Sequence, residues 1–282
     1  MLMDEIQRKG GAAVQELTVM TFNVKRDLWH FGRHTWQRRN QLVAGMINQL
    51  QPHILGTQEL TQSTLEDLGR LLPQYSYVGV GRGGSNRGEY TAIFYRKELF
   101  HLLSYETFWL SPTPRRPSRD HTALFARTCT WCELVHRDSP DRPLRVYNTH
   151  LDHLSYFARV RGLGLIAGEI LQRYHTAPGP VVLMGDFNAG PQSHTLRRWA
   201  QMALGEDGTQ TLFSAYSLLG SAAGRPAPGR SYHGFRGKVT GTPIDHIFTT
   251  KDVQLREVAI LSSRVGEDYP SDHYPVVAKI QY

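Results

Sequence analysis

The sequence predicts an α/β chain in which helices cover stacked β-sheets, and three observations support this fold class. Short apolar runs alternate with amphipathic segments of helical period along most of the 282 residues. Consecutive strand-like runs between Tyr75 and Thr149 favour β-hairpins over simple βαβ repetition. Helical segments at both ends of the chain can cover the outer faces of two stacked sheets. The length suits one large α/β domain or two small ones, and no repeat of roughly 20–50 residues is present.

The amino-terminal part of the chain predicts two buried strands, each followed by a helix. The strands are Leu17–Val24 and Ile54–Gln58. Thr35 begins the first helix, whose apolar residues follow the i, i+3, i+4, i+7 rule at Val43, Met46, Ile47 and Leu50. Ser63 and Glu66 have the spacing of a capping box, which predicts a second helix that continues to Leu72.

The rest of the chain predicts further strands, two helices and two loops. Strand-like runs occur at Tyr75–Val80, Tyr90–Arg96, Leu102–Leu110, Arg127–Val135, Leu144–Thr149, Val181–Met184, Ile244–Thr249, Val258–Leu261 and Val276–Ile280. Helices are predicted from about Ser155 and over Leu196–Leu204. The proline-containing segments Ser111–Asp120 and Gly220–Gly229 are predicted loops, because strand pattern resumes soon on each side. We therefore expect one domain over residues 17–282 and a flexible tail over residues 1–16.

The composition favours an anionic partner without identifying it. Lys and Arg number 32 against 25 Asp and Glu, a net charge of +7. This balance suits a phosphate ester, nucleic acid or acidic lipid, although a solvated cationic surface explains it equally well. No apolar run approaches the roughly 20 residues that span a bilayer, and Met1–Glu16 lacks the apolar segment of a signal peptide. We expect a cytoplasmic protein without a membrane span, and no obligate protein partner is evident.

Two short motifs suggest sites that their context argues against. Cys129 and Cys132 have the C-x-x-C spacing of redox and zinc sites, but they lie in a predicted strand, where residues three apart face opposite ways. We therefore expect two unpaired thiols. The segment Gly79–Gly84 matches G-x-G-x-x-G, a dinucleotide-binding motif, but it leads into a strand and not into a helix. We expect a hairpin loop there.

Polar residues recur at the ends of six predicted strands. A carboxylate beside an apolar core is costly unless it is paired or bound to a metal, so the recurrence predicts a shared pocket. Oxygen ligands suit a hard cation such as Mg²⁺, which neutralises phosphate charge, and a carboxylate can deprotonate water. The sequence therefore predicts hydrolysis of a phosphate ester. The strand-end residues are Asn23, Glu59, His150 with Asp152, Asp186 with Asn188, Asp245, and Asp272 with His273.

These residues lie in motifs that resemble those of the endonuclease/exonuclease/phosphatase family. The family includes pancreatic-type deoxyribonuclease, nocturnin-type deadenylases, neutral sphingomyelinases and inositol polyphosphate 5-phosphatases. The resemblance implies a four-layer α/β/β/α sandwich of two mixed, largely antiparallel sheets flanked by helices, with one catalytic cleft at the sheet edges. G-D-F-N and S-D-H-Y-P together are a specific signal. The motifs, in the family's order, are T-F-N, Q-E, N-T-H-L, G-D-F-N, I-D-H-I-F and S-D-H-Y-P.

The resemblance implies a metal site and a group that activates water. Glu59 would be the principal ligand of Mg²⁺, with Mn²⁺ as an alternative ion. Asn23 would lie beside this ligand, and Asp272 would lie close to the metal. Asp186 would align and activate the attacking water, and Asn188 would hold that water or the phosphate.

The resemblance also implies a set of phosphate contacts. His273 would contact the scissile phosphate, with Asp245 orienting and charging its ring. His150 would be a second phosphate contact. Two looser matches make Glu89 the expected partner of His150 and make Arg127 a ligand of the substrate phosphate.

The substrate stays open, because members of one family act on different phosphate esters. The leading hypothesis is Mg²⁺-dependent hydrolysis of a phosphodiester by in-line attack of a water that Asp186 activates, as in a DNA endonuclease or 3'-5' exoribonuclease. The alternatives are a phosphomonoesterase or phosphodiesterase on a small-molecule or lipid phosphate, and a phosphate-binding module without catalysis. Arg115, Arg116 and Arg119 either track a nucleic-acid backbone or belong to an ordinary solvated loop.

Overall fold

A computed structural model of the chain describes residues 16–27, 32, 34–202, 212–219 and 229–282. The strands are β1 (Glu16–Asn23), β2 (Ile54–Leu60), β3 (Tyr75–Val78), β4 (Tyr90–Arg96), β5 (Phe100–Trp109), β6 (Thr128–His136), β7 (Ser139–His150), β8 (Val181–Asp186), β9 (Phe213–Ser214), β10 (Asp245–Thr249), β11 (Gln254–Ile260) and β12 (Val276–Gln281). The helices are α1 (Trp36–Leu50), α2 (Gln62–Leu71), α3 (Tyr156–Thr176) and α4 (His194–Met202), and a 3₁₀ turn spans Ala215–Leu219.

The described strands form two six-stranded sheets. The first has the order β11-β12-β1-β2-β4-β3 and the second has the order β5-β6-β7-β8-β10-β9. Within each sheet one neighbouring pair is parallel, β1 with β2 and β7 with β8, and the other pairs are antiparallel. The expectation of two mixed, largely antiparallel sheets is confirmed.

Three apolar layers hold the helices and sheets together. One layer joins the inner faces of both sheets, a second packs α1 and α2 on the first sheet, and a third packs α3 and α4 on the second sheet. The result is the predicted α/β/β/α sandwich. Cys129 and Cys132 show the alternation of a strand directly, because Cys129 lies in the layer under α3 and Cys132 lies between the sheets. Both are free, buried thiols, as expected.

The N-terminal cap of α3 is the residue that the sequence predicts, whereas the cap of α2 differs from the prediction. Ser155 caps α3, and its side chain accepts a hydrogen bond from the backbone amide of Ala158. The capping box of α2 is formed by Thr61 and Thr64, not by the predicted Ser63 and Glu66. Thr61 follows β2 in extended conformation and is the N-cap residue of α2, whereas Ser63 already lies within the helix.

A close approach between the sheets fixes their register behind the strand ends. A Cβ on Gly56 would lie 2.8 Å from Met184 Sδ and 2.9 Å from Asn148 Cγ, so a side chain here would displace both of these groups. The Asn148 amide donates to the carbonyl oxygens of Thr57 and Ala92, each at 2.9 Å. Gln58 Nε2 donates to Asn148 Oδ1 at 2.7 Å. This buried network connects β2 and β4 of one sheet to β7 of the other.

Several predicted boundaries move or fall outside the described residues. Glu16 belongs to β1, so the predicted tail is shorter by one residue, and residues 1–15 lie outside the described ranges. Of the predicted loop Gly220–Gly229, only Gly229 is described, while Ser111–Asp120 is a loop as expected. The short strand β9 was not predicted. None of the helices in the described ranges is long and apolar enough to cross a membrane.

Candidate active site

The carboxyl ends of the two parallel strand pairs bring four predicted site residues to one edge of the sandwich. Asn23 ends β1 and Glu59 lies near the end of its parallel neighbour β2. His150 and Asp186 end the parallel pair β7 and β8, where they are directly paired in register. Crevices at this end of parallel strands are common ligand sites. The antiparallel strand β10 starts beside them, since Asp245 pairs in register with Asp186.

A β-bulge directs Glu59 toward the other strand ends. The pairing of β2 with β4 shifts between Thr57 and Leu60, and Glu59 has a φ of 69°. Its Oε1 accepts a hydrogen bond from Asn23 Nδ2 at 2.9 Å, and its Oε2 accepts one from the Arg26 amide at 2.8 Å. Burial raises the pKa of Glu59, but these two hydrogen bonds together with the charges of His273 and Lys25 outweigh burial, and the net shift is downward. Glu59 is therefore ionised at neutral pH.

Asp186 lies at the centre of the strand ends. Its Oδ1 accepts a hydrogen bond from the Asn188 amide at 2.9 Å, and its Oδ2 accepts one from Asn23 Nδ2 at 3.0 Å. The same Oδ2 is 3.6 Å from His150 Nε2 and 3.8 Å from His273 Nε2. Burial, and next the charge of Asp245, raise the pKa of Asp186 to about 7.

Gly185 permits the tight end of β8 that carries Asp186. Its φ is +147°, and a Cβ at this position would come within 2.0 Å of the carbonyl oxygen of Thr149. Any side chain would therefore push β8 away from β7. The glycine of the G-D-F-N motif is thus explained by backbone packing, which keeps Asp186 next to His150.

Asp245 and His273 form a buried pair beside Asp186. His273 Nδ1 is 2.9 Å from Asp245 Oδ2. Burial lowers the pKa of His273, but the charge and hydrogen bond of Asp245 together with the charges of Asp186 and Asp272 outweigh it, and the pKa rises to about 10. Ser231 holds the pair in place, because its hydroxyl oxygen accepts hydrogen bonds from the amides of Ile244 and Asp245. The ring of His273 is therefore a charged donor at neutral pH.

These strand ends form part of the wall of a cavity of about 400 Å³. Four cationic side chains share this wall with the carboxylates, which makes the cavity suitable for an anion. Tyr232, Phe125 and His153 add aromatic surface near its mouth, and Tyr232 packs on the ring of His273 with centroids 5.0 Å apart. The cationic residues are Lys25, Arg26, Arg82 and Arg127.

The looser predictions are only partly reflected in the geometry. Glu89 lines the cavity, but its Oε1 accepts hydrogen bonds from Arg26 Nη1 at 2.9 Å and Arg82 Nη2 at 2.8 Å. No hydrogen bond joins Glu89 to His150 in the described part of the chain, because the guanidinium groups, which are always charged, take the carboxylate oxygen. Arg127 lines the cavity, and its Nη2 is 3.0 Å from His153 Nδ1.

His150 and Asn188 are held at the same wall. Burial, and next the charge of Arg127, lower the pKa of His150 well below its usual value, so its ring is neutral. Asn188 has a φ of 48°, and its Nδ2 donates to the carbonyl oxygen of Leu151 at 3.0 Å. Asp152, another strand-end residue, uses Oδ1 to accept from the amides of Leu154 and Ser155 and thus caps a loop.

The donor set on the cavity wall fits a hard cation. Glu59 and Asp272 both line the cavity, and Asp272 has a loose ion pair with Lys25 at 3.5 Å and a long hydrogen bond from Ser271 Oγ at 3.4 Å. Carboxylate oxygens of this kind are the ligands that Mg²⁺ takes in proteins. Asn23 Nδ2 donates hydrogen bonds to both Glu59 and Asp186, so in this side-chain orientation its amide group bridges the two carboxylates.

A second group of side chains also has the proximity of a metal site. The ligand atoms of Asp186, Asp245 and His273 all lie within 4.8 Å of one another. A protonated imidazole has no lone pair for a metal, however, and the raised pKa of His273 keeps its ring protonated. Glu59, ionised and facing the cavity, is therefore the better candidate for the first ligand.

Sequence reasoning missed part of the cavity wall, and it left open whether His233 reaches the substrate or is an ordinary loop histidine. Lys25 and Arg26 directly follow Asn23, and this position after a strand end was a signal that could have been used. Arg82 lies in the G-x-G-x-x-G loop, and the glycine spacing of that motif gives no indication of a role for the arginine. His233 stacks on Tyr274 with ring centroids 3.9 Å apart and is buried, so it has a packing role.

Known proteins share both the sequence pattern and the fold. The chain is 26% identical to Nocturnin of Xenopus laevis over 274 residues, which cover 88% of this chain and 65% of that relative. A mannosyl-6-phosphatase of Bacteroides thetaiotaomicron has a TM-score of 0.83 at 28% identity, covering 94% of this chain and 100% of that one. An endonuclease/exonuclease/phosphatase protein of Bacteroides vulgatus has a TM-score of 0.81 at 29% identity, covering 94% and 98%. A model of the Endonuclease/Exonuclease/phosphatase family matches residues 20–273. The chain therefore belongs to this family of phosphoester hydrolases.

Proposed function

We propose that this protein hydrolyses a small phosphate ester with a divalent cation, by in-line attack of a water that Asp186 activates. The observation that carries the proposal is the position of Asp186 Oδ2, which lies between Asn23 Nδ2 and two histidine rings on the cavity wall. A general base works best when its pKa is near the working pH. Burial and the charge of Asp245 raise the pKa of Asp186 toward that range.

The two histidines would hold the phosphoryl oxygens. His273 is charged, and Asp245 accepts from Nδ1, so Nε2 is available to donate to an anionic oxygen. His150 is neutral and presents Nε2 to the same region, 3.6 Å from Asp186 Oδ2. Fixed donors aimed at developing negative charge lower the barrier without reorganising during the reaction. Asn188 lies on the same wall and would hold the water or the phosphate.

Glu59 and Asp272, with Asn23 beside them, are the residues that would hold the cation. Mg²⁺, or Mn²⁺ in its place, would supply charge neutralisation at the phosphate and at the leaving oxygen. The lowered pKa of Glu59 supports this assignment, because a ligand must be ionised to bind the metal. Asn23 would keep Glu59 and Asp186 at a fixed separation through its amide group.

A phosphomonoester is the substrate class that the charges favour. A monoester carries two negative charges near neutral pH. Arg127 and the charged ring of His273 face the cavity, beside Lys25, which is loosely paired with Asp272, and Arg26 and Arg82, which share Glu89. The arginine loop lends little support to the nucleic-acid alternative, since Arg115 is bonded to Glu106 and Glu169 and Arg119 to the Ala123 carbonyl. The likeness to a mannosyl-6-phosphatase at 28% identity points the same way. The phosphodiester hypothesis therefore moves to second place.

A comparison of initial rates tests the proposal. Purified protein is assayed on p-nitrophenyl phosphate, bis(p-nitrophenyl) phosphate, hexose 6-phosphates, and labelled DNA and RNA, with Mg²⁺ and with EDTA. We expect monoesters to be cleaved faster than diesters, and only with the cation. Asp186→Asn should lose this activity, whereas Asp138→Asn, which changes a side chain that is 79% exposed, should keep it. Faster cleavage of nucleic acid would restore the phosphodiester hypothesis, and no cleavage of any ester would refute the proposed function.

A further inference from the structure

Arg39 of α1 is a buried arginine whose side chain connects loops behind the candidate active site. Only 2% of the residue is exposed. Its Nη1 donates to the carbonyl oxygens of Val24 and Pro270, both at 2.7 Å, and its Nη2 donates to that of Lys25 at 2.9 Å. Its Nε donates to the carbonyl oxygen of His34 at 2.8 Å. A single guanidinium therefore joins three segments: Val24–Lys25 and His34, both within 15 residues of Arg39, and Pro270, which lies 231 residues away.

Two of these segments carry candidate active-site residues. Val24 and Lys25 directly follow Asn23, which bonds to Glu59 and Asp186. Pro270 directly precedes the segment of Ser271, Asp272 and His273. The Arg39 guanidinium therefore spans the distance between the Asn23–Lys25 segment, next to Glu59, and the segment that carries His273. A second link is shorter, with Ser271 Oγ donating to the carbonyl oxygen of Asn23 at 2.6 Å.

If stability were the only role of this residue, a buried arginine would be an unfavourable choice. Burying a cation carries a desolvation penalty, and the ion pair of Arg39 with Asp27 has a separation of 3.8 Å, which recovers only part of it. Burial accordingly lowers the pKa of Arg39. An apolar side chain would pack under α1 without this penalty. The planar guanidinium offers what an apolar side chain cannot, a rigid set of donors for carbonyl groups on different loops.

We propose that Arg39 is a positioning residue, which sets the distance between the Asn23–Lys25 segment and the Asp272–His273 segment. This inference rests on the proposed hydrolysis at the same site. Loosening either loop would move His273 relative to Asp186 and would displace Lys25 and Arg26, while Arg82 and Arg127, the other two cations of the cavity wall, would stay in place. The loss should therefore appear in kcat and much less in KM. Groups that orient catalytic residues typically contribute about 10–100-fold.

Arg145 provides a matched control elsewhere in the fold. It is 8% exposed, it donates through Nη1 to the carbonyl oxygens of Arg173 and Ala177, and it pairs with Glu133 at 2.9 Å. Its carbonyl partners belong to the end of α3, and it lines a different cavity. Arg39→Lys and Arg145→Lys thus remove the same kind of buried donor set, one behind the candidate site and one remote from it.

The experiment measures thermal unfolding, kcat and KM for both variants, and amide hydrogen exchange in the metal-free proteins. We expect both variants to lose stability, but only Arg39→Lys to lose about 10–100-fold in kcat, with a smaller rise in KM because Arg82 and Arg127 stay in place. We also expect faster exchange at the amides of Lys25, Arg26 and His273 in Arg39→Lys only. Arg39→Gln, which keeps an amide donor, is measured in the same way if Arg39→Lys does not fold.

The outcomes separate this inference from the proposed function. Equal losses of kcat in the Arg39 and Arg145 variants, or a parental kcat in Arg39→Lys, would show that Arg39 only stabilises the fold. Unchanged exchange in both loop segments would overturn the inference as well. If the parent protein cleaves no ester, the proposed function fails, and the exchange measurement by itself decides whether Arg39 couples the two segments.

Discussion

Asp245 and His273, 28 residues apart in the sequence, are joined by a buried hydrogen bond of 2.9 Å between Asp245 Oδ2 and His273 Nδ1. The bond leaves His273 Nε2 directed toward Asp186, at 3.8 Å from Asp186 Oδ2. Asp245 also raises the pKa of Asp186, because two buried carboxylates in adjacent strands repel each other when both are ionised. Asp245 therefore influences both the proposed phosphate donor and the proposed base.

The first prediction concerns this pair. Asp245→Asn should lower kcat, because His273 loses the group that keeps Nδ1 protonated and the ring charged. A double-mutant cycle with His273→Ala should be non-additive, since both single changes disable the same unit. The measurement is kcat/KM for the parent, both single variants and the double variant on one phosphate ester. Additive losses would mean that the two residues act independently.

The second prediction concerns Asp186. Asp186→Asn keeps the size of the side chain and the hydrogen bond from the Asn188 amide, but removes the base. We expect turnover to fall by about 10²–10⁴, the usual range for general-base catalysis, while substrate binding survives. Single-turnover rates and an independent binding measurement separate the two effects. A variant with more than roughly a tenth of the parental turnover would lie outside that range and exclude the role.

The third prediction concerns the cation. Glu59→Gln replaces an ionised ligand with a neutral amide, so the affinity for Mg²⁺ should fall. Calorimetric titration with Mg²⁺ and Mn²⁺ measures this directly, and activity should recover partly at high metal concentration. Glu66→Gln, on the exposed face of α2, is the control. Full activity of the parent protein in EDTA would show that the metal assignment is wrong.

The fold was predictable where the pattern of apolar residues and the polar residues that follow it indicate the same strand. The strands ending in Asn23 and Asp186 are continuous apolar runs followed by polar residues, which marks both the strand and the point where it ends. The family motifs supplied the layer order, which periodicity alone could not. The two-residue strand β9 carries too few residues to show any period, so it was missed.

The candidate site was predictable in its residues and less so in its contacts. Glu59 was identified as a strand-end carboxylate, but the bulge that aims it depends on pairing with β4, which a single sequence does not show. The pairing of Glu89 with Arg26 and Arg82 joins three distant segments, so it depends on tertiary packing. The Asp245–His273 bond was expected from motifs alone.

The fourth prediction concerns stability and pH. His246 is fully buried, and burial lowers its pKa to about 4, while its Nε2 bonds to the carbonyl oxygen of Ala189 at 2.8 Å. The unfolded chain binds a proton at an ordinary pKa of about 6.5, so it takes up protons that the folded protein does not. The stabilising contribution is therefore full above about pH 6.5 and is lost as pH falls toward 4.

His246→Gln tests this assignment, because glutamine keeps an N–H donor for Ala189 and cannot titrate. The free energy of unfolding is measured by denaturant titration between pH 7 and pH 4. We expect the variant to be less stable than the parent at pH 7 but to lose less stability on acidification. His101→Gln, at an exposed position of β5, is the control for the substitution itself. Equal slopes in parent and His246→Gln would show that His246 does not titrate as proposed.

The last prediction concerns Arg115 and decides between a structural and a nucleic-acid role for its loop. Arg115 Nη1 donates to Glu106 of β5 at 2.5 Å, and Nη2 donates to Glu169 of α3 at 3.1 Å. Because its side chain is 55% exposed, Arg115→Ala should lower the free energy of unfolding by at most about 1 kcal/mol, and by less at high salt.

Binding of DNA, if any is measured, should keep its salt dependence, since Arg115 is occupied by two carboxylates. Arg116→Ala, on the same loop, is the matched control. A log–log salt slope that flattens by about 0.9 for duplex or about 0.7 for single strands in Arg115→Ala alone would identify Arg115 as a phosphate contact. The two glutamates would then release the arginine on binding, and nucleic acid would return to first place as the substrate.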